Sequence, residues 1–484
     1  MATVPGRRWR VASLGAVVWL VVYVAGLLAA QARGLRMAVP YFYFQLLPRE
    51  LLSQRLGESL WNLHAQPPVV DLILGAALKL ERMSGVPVET LLLALHAVLG
   101  AIIVLAMLSL LRRLRLVLRS AVMLLLLLDP DFYLYLGIFS YTFYELLLLT
   151  LAALAAHRFA TQPTPKAYAV FCLPIVLLTY TRALFHPLWA MAAFAGLAVG
   201  ARTDQPAARR HIAYAFVLSV LVLAAWPLKN GLRFGVWSFS SWQGFNLSRG
   251  LGIDPPPGWI FSIQPSPEEL AARAVADRRV PAALRQIRVL TQVQKQDGSL
   301  NWNHYAIIGM SAEMGRQALA TWVHDPARVA GKVMRNYLIF TTYPGRNPYS
   351  GRLDWRTRQP AAVAWLAAYE WSSLEAPIRL AGTSRTPLFA LVFPILAVAG
   401  VRHAWSLRAR DRPAALTLAV LLGSALWVLA AVLLVDGEEG NRMRFSTQLA
   451  LWIGAAAALE EWLRRRAGAS IQAFDPARDA SLRQ

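Results

Sequence analysis

A single cysteine, Cys172, stands in 484 residues, so an intrachain disulfide and a cysteine metal cluster are both excluded. Histidine is scarce, with 8 residues, and none falls in the H-E-x-x-H spacing that puts two metal ligands on one helix face. Acids are outnumbered, 27 Asp and Glu against 49 Lys and Arg, for a formal charge of +22. No aspartate occurs between Met1 and His64. R-G-L-G at 249–252 lacks the strand and helix that a phosphate-cradling glycine loop joins, so it is no nucleotide fingerprint. The positive charge could suit nucleic acid, but the arginines punctuate apolar runs instead of forming one basic face. A membrane charge bias explains them better, and no nucleic-acid partner is expected.

What the chain does have is hydrocarbon. It is 57% hydrophobic with 17 tryptophans, well above an ordinary soluble chain. Runs at 11–30, 89–111, 116–128, 141–157, 167–180, 187–200, 212–228, 387–401, 414–435 and 445–463 approach the length that spans a bilayer. The first has no small-residue cleavage site and reads as an anchor. The run 69–80 is short and ends in Lys79, Glu81 and Arg82, so it reads as interfacial or re-entrant. With both termini in the cytoplasm, the inside segments collect most of the arginines, among them Arg112, Arg113, Arg115, Arg119, Arg402, Arg408, Arg464, Arg465 and Arg466. Counting 69–80 as a span would turn Arg112–Arg119 outward and spoil that bias. The expectation is an all-α polytopic membrane protein of about ten transmembrane helices with outer-face juxtamembrane helices. Residues 1–228 form an N-terminal membrane module with a first outer loop at 31–88. Residues 229–386 form a mainly helical extracytoplasmic domain, 387–466 the last membrane helices and 467–484 a cytoplasmic tail. Helices are expected in the outer domain at 268–276, 282–296 and 306–322.

The first loop organises the rest. Residues 47–68 are too polar for the bilayer, yet Leu52, Leu56, Leu60 and Leu63 form one stripe of an amphipathic helix. Pro48 suits its first turn, and Glu50 sits where the helix dipole favours an anion. Under the ten-span threading, polar residues from distant segments converge on the outer face. They are Glu50, Glu58, His64 and Gln66; Asp129 and Asp131; Glu145; Arg182 and His186; and Glu438, Glu439, Arg442 and Arg444. Carboxylates can take a proton from a hydroxyl, and arginines can clamp a departing phosphate. Plainer roles stand beside these. Glu58 suits a solvated face, His64 and Gln66 a helix cap before Pro67, and Asp129 and Asp131 a turn about Pro130. Glu145, flanked by leucines, requires a partner wherever it lies.

At these residues the chain resembles the GT-C superfamily of membrane glycosyltransferases, which includes the protein O-mannosyltransferases and the aminoarabinose transferases of lipid A. H-A-Q-P-P-V at 64–69 is similar to the family's H-P-P-L-like motif. Y-T-F-Y-E-L-L-L-L at 141–149 is similar to its second acidic position. E-x-x-N-R-x-R-F at 438–445 and S-S-W-Q-G-F-N-L at 240–247 are similar to runs in bacterial members. The family's first-loop aspartate is missing, and Glu50, with Glu58 in reserve, takes its place.

The resemblance implies transfer of a sugar from a polyprenyl-phosphate donor to a hydroxyl of a lipid, glycan or protein, in cell-envelope glycan biosynthesis. The active site would be on the extracytoplasmic face of the plasma (inner) membrane. Glu50 would act as general base, and Glu145 or an aspartate of the 129–131 turn would orient the donor or hold a divalent cation. Arg182, Arg442 and Arg444 would neutralise the phosphate. Two other classes compete: a transporter or flippase for a lipid-linked glycan, and a non-catalytic membrane scaffold.

Overall fold

The computed structural model describes residues 5–41, 45–200, 206–253, 255, 265–341, 375–376, 386–387, 389–435 and 440–473. Much of the expected outer domain after residue 341, the pair Glu438 and Glu439, and the tail beyond residue 473 lie outside the described residues. Among those described, the regular structure is helical except for β1 (Glu375–Ala376) and β2 (Thr386–Pro387), a two-residue antiparallel pair.

A long helix α1 (Pro5–Ala32) leads into the first loop, which carries α2 (Arg49–Gln54), α3 (Leu56–Trp61) and α4 (Val69–Ser84). The membrane module continues through α5 (Val88–Leu110), α6 (Leu116–Leu127), α7 (Pro130–Leu136), α8 (Tyr141–Thr161), α9 (Pro165–Thr181), α10 (Pro187–Gly200) and α11 (Pro206–Phe234). The segment after α11, expected to be the outer one, holds α12 (Gln243–Ser248), α13 (Pro267–Arg279), α14 (Arg288–Thr291), α15 (Ala306–His324) and α16 (Pro326–Thr341). The chain closes with α17 (Phe389–Leu407), α18 (Arg412–Leu434) and α19 (Gly440–Ala473).

By length and composition, 6 helices among the described residues can cross a membrane: α1, α5 with the turn that follows it (Val88–Arg113), α8, α11, α17 and α18. Three of the remaining expected spans, α6, α9 and α10, are apolar but shorter. The tenth lies inside α19, whose 34 residues mix apolar turns with Glu460, Glu461 and Arg464–Arg466 and do not meet the same test. The chain is therefore a multi-pass membrane protein, with 6 full-length apolar helices among the described residues where about ten spans were expected. Helix α8 is central and packs on α5, α9, α18 and α19. Every residue from Tyr141 to Thr150 is buried, as expected of a helix that is apolar all round and surrounded by others.

Two expected helices are broken. The stretch 47–68 is not one helix but α2 and α3, parted at Arg55, whose backbone (φ −132°, ψ 45°) leaves the helical region. Gly57 weakens the helix there, and the Ser59 hydroxyl donates back to the Leu51 carbonyl at 3.2 Å. The leucine stripe nonetheless faces inward, with Leu52 and Leu63 buried. Leu56 lies flat on Gly75 of α4, where a β-carbon would come within 2.3 Å of its Cδ1. In the outer segment, 282–296 forms a 3-10 turn (Leu284–Gln286) and the four-residue α14. The Asn301 amide donates to the carbonyls of Val289 (3.0 Å) and Gln292 (2.8 Å) and so occupies acceptors that a continuing helix would need.

Helix α15 is wedged between α12 and α13 on glycine contacts. A β-carbon at Gly244 would lie 1.7 Å from the Ser311 carbonyl, and one at Gly309 the same distance from that of Ala272. Backbone cannot yield as a side chain can, so Gly244→Ala must push α12 off α15. Overpacking of this kind costs about 1–3 kcal/mol. A lowered Tm in detergent is expected, whereas Gly57→Ala, with nothing within 4 Å of its β-position, leaves Tm unchanged or raises it.

Candidate active site

At the head of α8, one turn in, Glu145 is fully buried and accepts from the Arg182 guanidinium at 3.0 Å. Arg182 is the residue that ends α9, so the pair ties α8 to α9 inside the bundle. Its guanidinium also lies over the Tyr141 ring, 4.0 Å from the centroid, and that of Arg442 sits over the same ring at 4.6 Å. Arg442 donates to the Tyr141 hydroxyl as well. It stands in the first turn of α19, where the helix dipole disfavours a cation, so its burial at 1% exposure depends on partners such as Tyr141. The Oε2 of Glu145 has no hydrogen-bond donor among the described residues.

Asp129 caps α7, accepting the Asp131 N–H at 2.9 Å, and its other oxygen accepts from the Gln448 amide of α19 at 2.7 Å. Asp131 and Arg444 are also fully buried. The structure therefore brings Glu145, Arg182 and Arg442 into one cluster and places Asp129 on a cap between α7 and α19.

Beside this cluster opens a cleft of about 420 Å³. Its polar side is made by Gln45, Gln66, Arg182, His186, Gln243, Asn246 and Arg249; its apolar side by Leu184, Leu188, Trp427, Ala431, Leu434 and Val435. The Trp427 indole donates to the Leu184 carbonyl at 2.9 Å and so fixes the turn that carries Arg182 and His186. Partial burial holds the His186 imidazole below its usual pKa. No carboxylate lines the cleft among the described residues.

The remaining expected residues lie elsewhere. Glu50 does not line the cleft: its Oε1 accepts from the Gln292 amide at 2.6 Å, and its Oε2 has no donor among the described residues. Nearby, Asp71 accepts the Leu47 N–H at 2.9 Å, and Lys295 donates to the Tyr41 carbonyl at 3.0 Å. Burial pushes the Asp71 carboxyl up to about 7 and the Lys295 ammonium down to about 8. Glu58 is exposed and pairs with Arg55 at 3.5 Å.

His64 is spent on structure. Its Nε2 faces the Asn303 carbonyl at 3.0 Å and must donate, so Nδ1 accepts from the Ser241 hydroxyl at 2.8 Å. Its backbone N–H and that of Ala65 both donate to the Asn303 side chain, at 2.9 and 3.1 Å. The motif around His64 thus fastens the first loop to the outer segment and leaves Gln66 to face the cleft.

Sequence reasoning missed Gln45, Gln243, Asn246, Arg249 and Trp427. A signal existed for two of them, since Gln243 and Asn246 fall in the S-S-W-Q-G-F-N-L run, but nothing in that run points to a cleft. Among the described residues no three His, Cys, Asp or Glu side chains converge to hold a metal ion.

No family model matches the sequence, and no curated protein matches it. Among solved structures the chain is similar to ArnT from Cupriavidus metallidurans in the apo state, at 14% identity and a TM-score of 0.34, over 92% of this chain and 78% of that one. So weak a likeness assigns this chain neither a family nor an activity.

Two outcomes are expected. Removing one member of a buried ion pair leaves the other uncompensated, at a cost of about 3–5 kcal/mol. Glu145→Ala should therefore lower Tm in detergent by more than Glu145→Ala with Arg182→Met, and a loss in the double variant equal to the sum of the losses in Glu145→Ala and Arg182→Met would mean that the pair is not coupled. Burial also drives the His64 imidazole from 6.5 down to about 3, so it is neutral in the fold. Its contribution is fully present above about pH 6.5 and is lost as pH falls towards 3, because the unfolded chain takes up the proton first. Tm should drop between pH 7 and pH 5, with a shallower slope in His64→Gln.

Proposed function

We propose that this protein is an integral membrane glycosyltransferase that takes a sugar from a polyprenyl-phosphate donor and attaches it to a hydroxyl of a lipid, glycan or protein outside the cytoplasm. The observation that carries the reading is the two-sided cleft. One wall is hydrocarbon and belongs to the ends of α10 and α18; the other is polar and presents Arg182 and Arg249. A ligand that fits both walls is an amphiphile with an anionic head. The amides of Gln45, Gln66, Gln243 and Asn246 are suited to sugar hydroxyls.

In the proposed reaction the acceptor oxygen attacks the anomeric carbon as the bond from that carbon to the phosphate oxygen breaks. The phosphate leaves with the electron pair, and a carboxylate takes the hydroxyl proton. Arg182, with Arg442 and Arg444 behind it, stabilises the charge that develops on the phosphate; such charge-assisted contacts are stronger than neutral ones. Glu145 holds Arg182 in place and so positions the donor. Glu50 is the proposed base, on the strength of its unmatched oxygen and of Gln45, five residues before it, reaching the cleft.

A second reading, binding or transport of a lipid-linked glycan without chemistry, has its own support. No described carboxylate lines the cleft, and Glu50 stands outside it. Purified protein in nanodiscs, given a panel of radiolabelled polyprenyl-phosphate sugars, separates the two. Glycosyl transfer that falls at least a hundredfold in Glu50→Gln while donor binding persists, and donor binding that falls in Arg182→Gln and Arg249→Gln, would support the enzyme. Donor binding without transfer across the acceptor panel would favour the carrier. Absence of binding by wild type would remove both.

A further inference from the structure

The end of the bundle away from the cleft carries a second groove of about 590 Å³, between α5, α8 and α9. Along α8, Arg158 lies about 20 Å from Glu145 at about 1.5 Å per residue. The groove's wall is hydrocarbon, formed in part by Leu151, Leu154, Leu173 and Leu177. Leu173 is 59% exposed, as suits a side chain facing lipid. At the ends of α5 and α8 the lining changes to Arg112 and Arg158, and a guanidinium N–H of Arg112 points at the His157 imidazole 3.5 Å away.

The groove combines uncompensated charge with hydrocarbon. Several arginines on the adjoining surface are matched with acids: Arg113 with Asp411, Arg115 and Arg464 with Glu460, Arg410 and Arg465 with Glu461. Arg112 and Arg158 make no ion pair among the described residues, and no acid lines the groove. Two uncompensated guanidiniums at the head of a hydrocarbon slot match one kind of molecule in the surrounding bilayer.

We propose that this groove binds an anionic phospholipid of the leaflet opposite the cleft, with its phosphate between Arg112 and Arg158 and its acyl chains along the leucine wall. Guanidinium and phosphate form strong charge-assisted hydrogen bonds, and the arginine heads lie where headgroups gather. The site is independent of the reaction proposed for the cleft.

The test is native mass spectrometry of the full-length protein in detergent, titrated with phosphatidylglycerol or phosphatidylcholine. Wild type should retain phosphatidylglycerol preferentially. Arg112→Gln with Arg158→Gln should weaken that retention about tenfold, the scale of losing contacts to one phosphate. Leu173→Trp, which fills the slot at an exposed position without changing charge, should weaken it as well. Arg402→Gln with Arg408→Gln removes equal charge outside the groove and should have no effect. Equal retention of the two lipids by wild type would overturn the proposal, as would an equal loss in the Arg402 and Arg408 control. Self-association through this face in place of lipid binding would also overturn it.

Discussion

The buried pair of Glu145 and Arg182, 3.0 Å apart, is the contact on which the arrangement of the membrane module depends. A lone charge at that depth costs several kcal/mol or moves to water. The pair can exist only where the start of α8 lies level with the end of α9. Tyr141 extends the constraint to α19, because its ring lies under both Arg182 and Arg442. Two consecutive helices and one from near the end of the chain are thus held at one height by a few polar atoms. The apolar contacts around them are many but unspecific, since leucine packs on lipid nearly as well as on leucine.

The segment after α11 is fixed by a different device. Backbone outside the helices must find partners wherever it is buried, and Asn303 supplies several at once, to His64, Ala65 and Asn62. Ser241 returns its own N–H to the His64 carbonyl at 2.9 Å. The first loop is therefore built into the outer segment as much as into the membrane. This is why Gln45 and Gln66 come to the same cleft as Gln243 and Asn246.

The two ends of the bundle use arginine in opposite ways. Near the cleft, Arg182 and Arg442 are buried and engage a carboxylate and an aromatic face. At the other end several arginines form exposed pairs such as Arg465 with Glu461, which contribute little each in water. The groove's two arginines lack such pairs and share a hydrocarbon wall. The cleft and this groove are each half hydrocarbon and half cation, but their polar heads lie about 20 Å apart along α8 at the α-helical rise.

The helical class and the apolar runs were legible in the sequence, because hydropathy and length are local properties. So was the need of Glu145 for a partner, since an acid among leucines has no other solution. The choice of Arg182 was not legible: contact order is set by how α8 and α9 pack, and no spacing encodes it. Leucine periodicity implied one helix at 47–68, but the backbone breaks at Arg55 while the same leucines remain inward; periodicity reports which face is buried and not whether the helix is continuous. His64 shows the limit most clearly. As a residue beside Pro67 it suited a site, and only the arrival of Ser241 and Asn303 from the outer segment made it a structural tie. The sequence by itself determined which segments avoid water; the tertiary structure decided which polar groups meet, because a buried charge or donor takes the partner that packing brings within 3 Å or so.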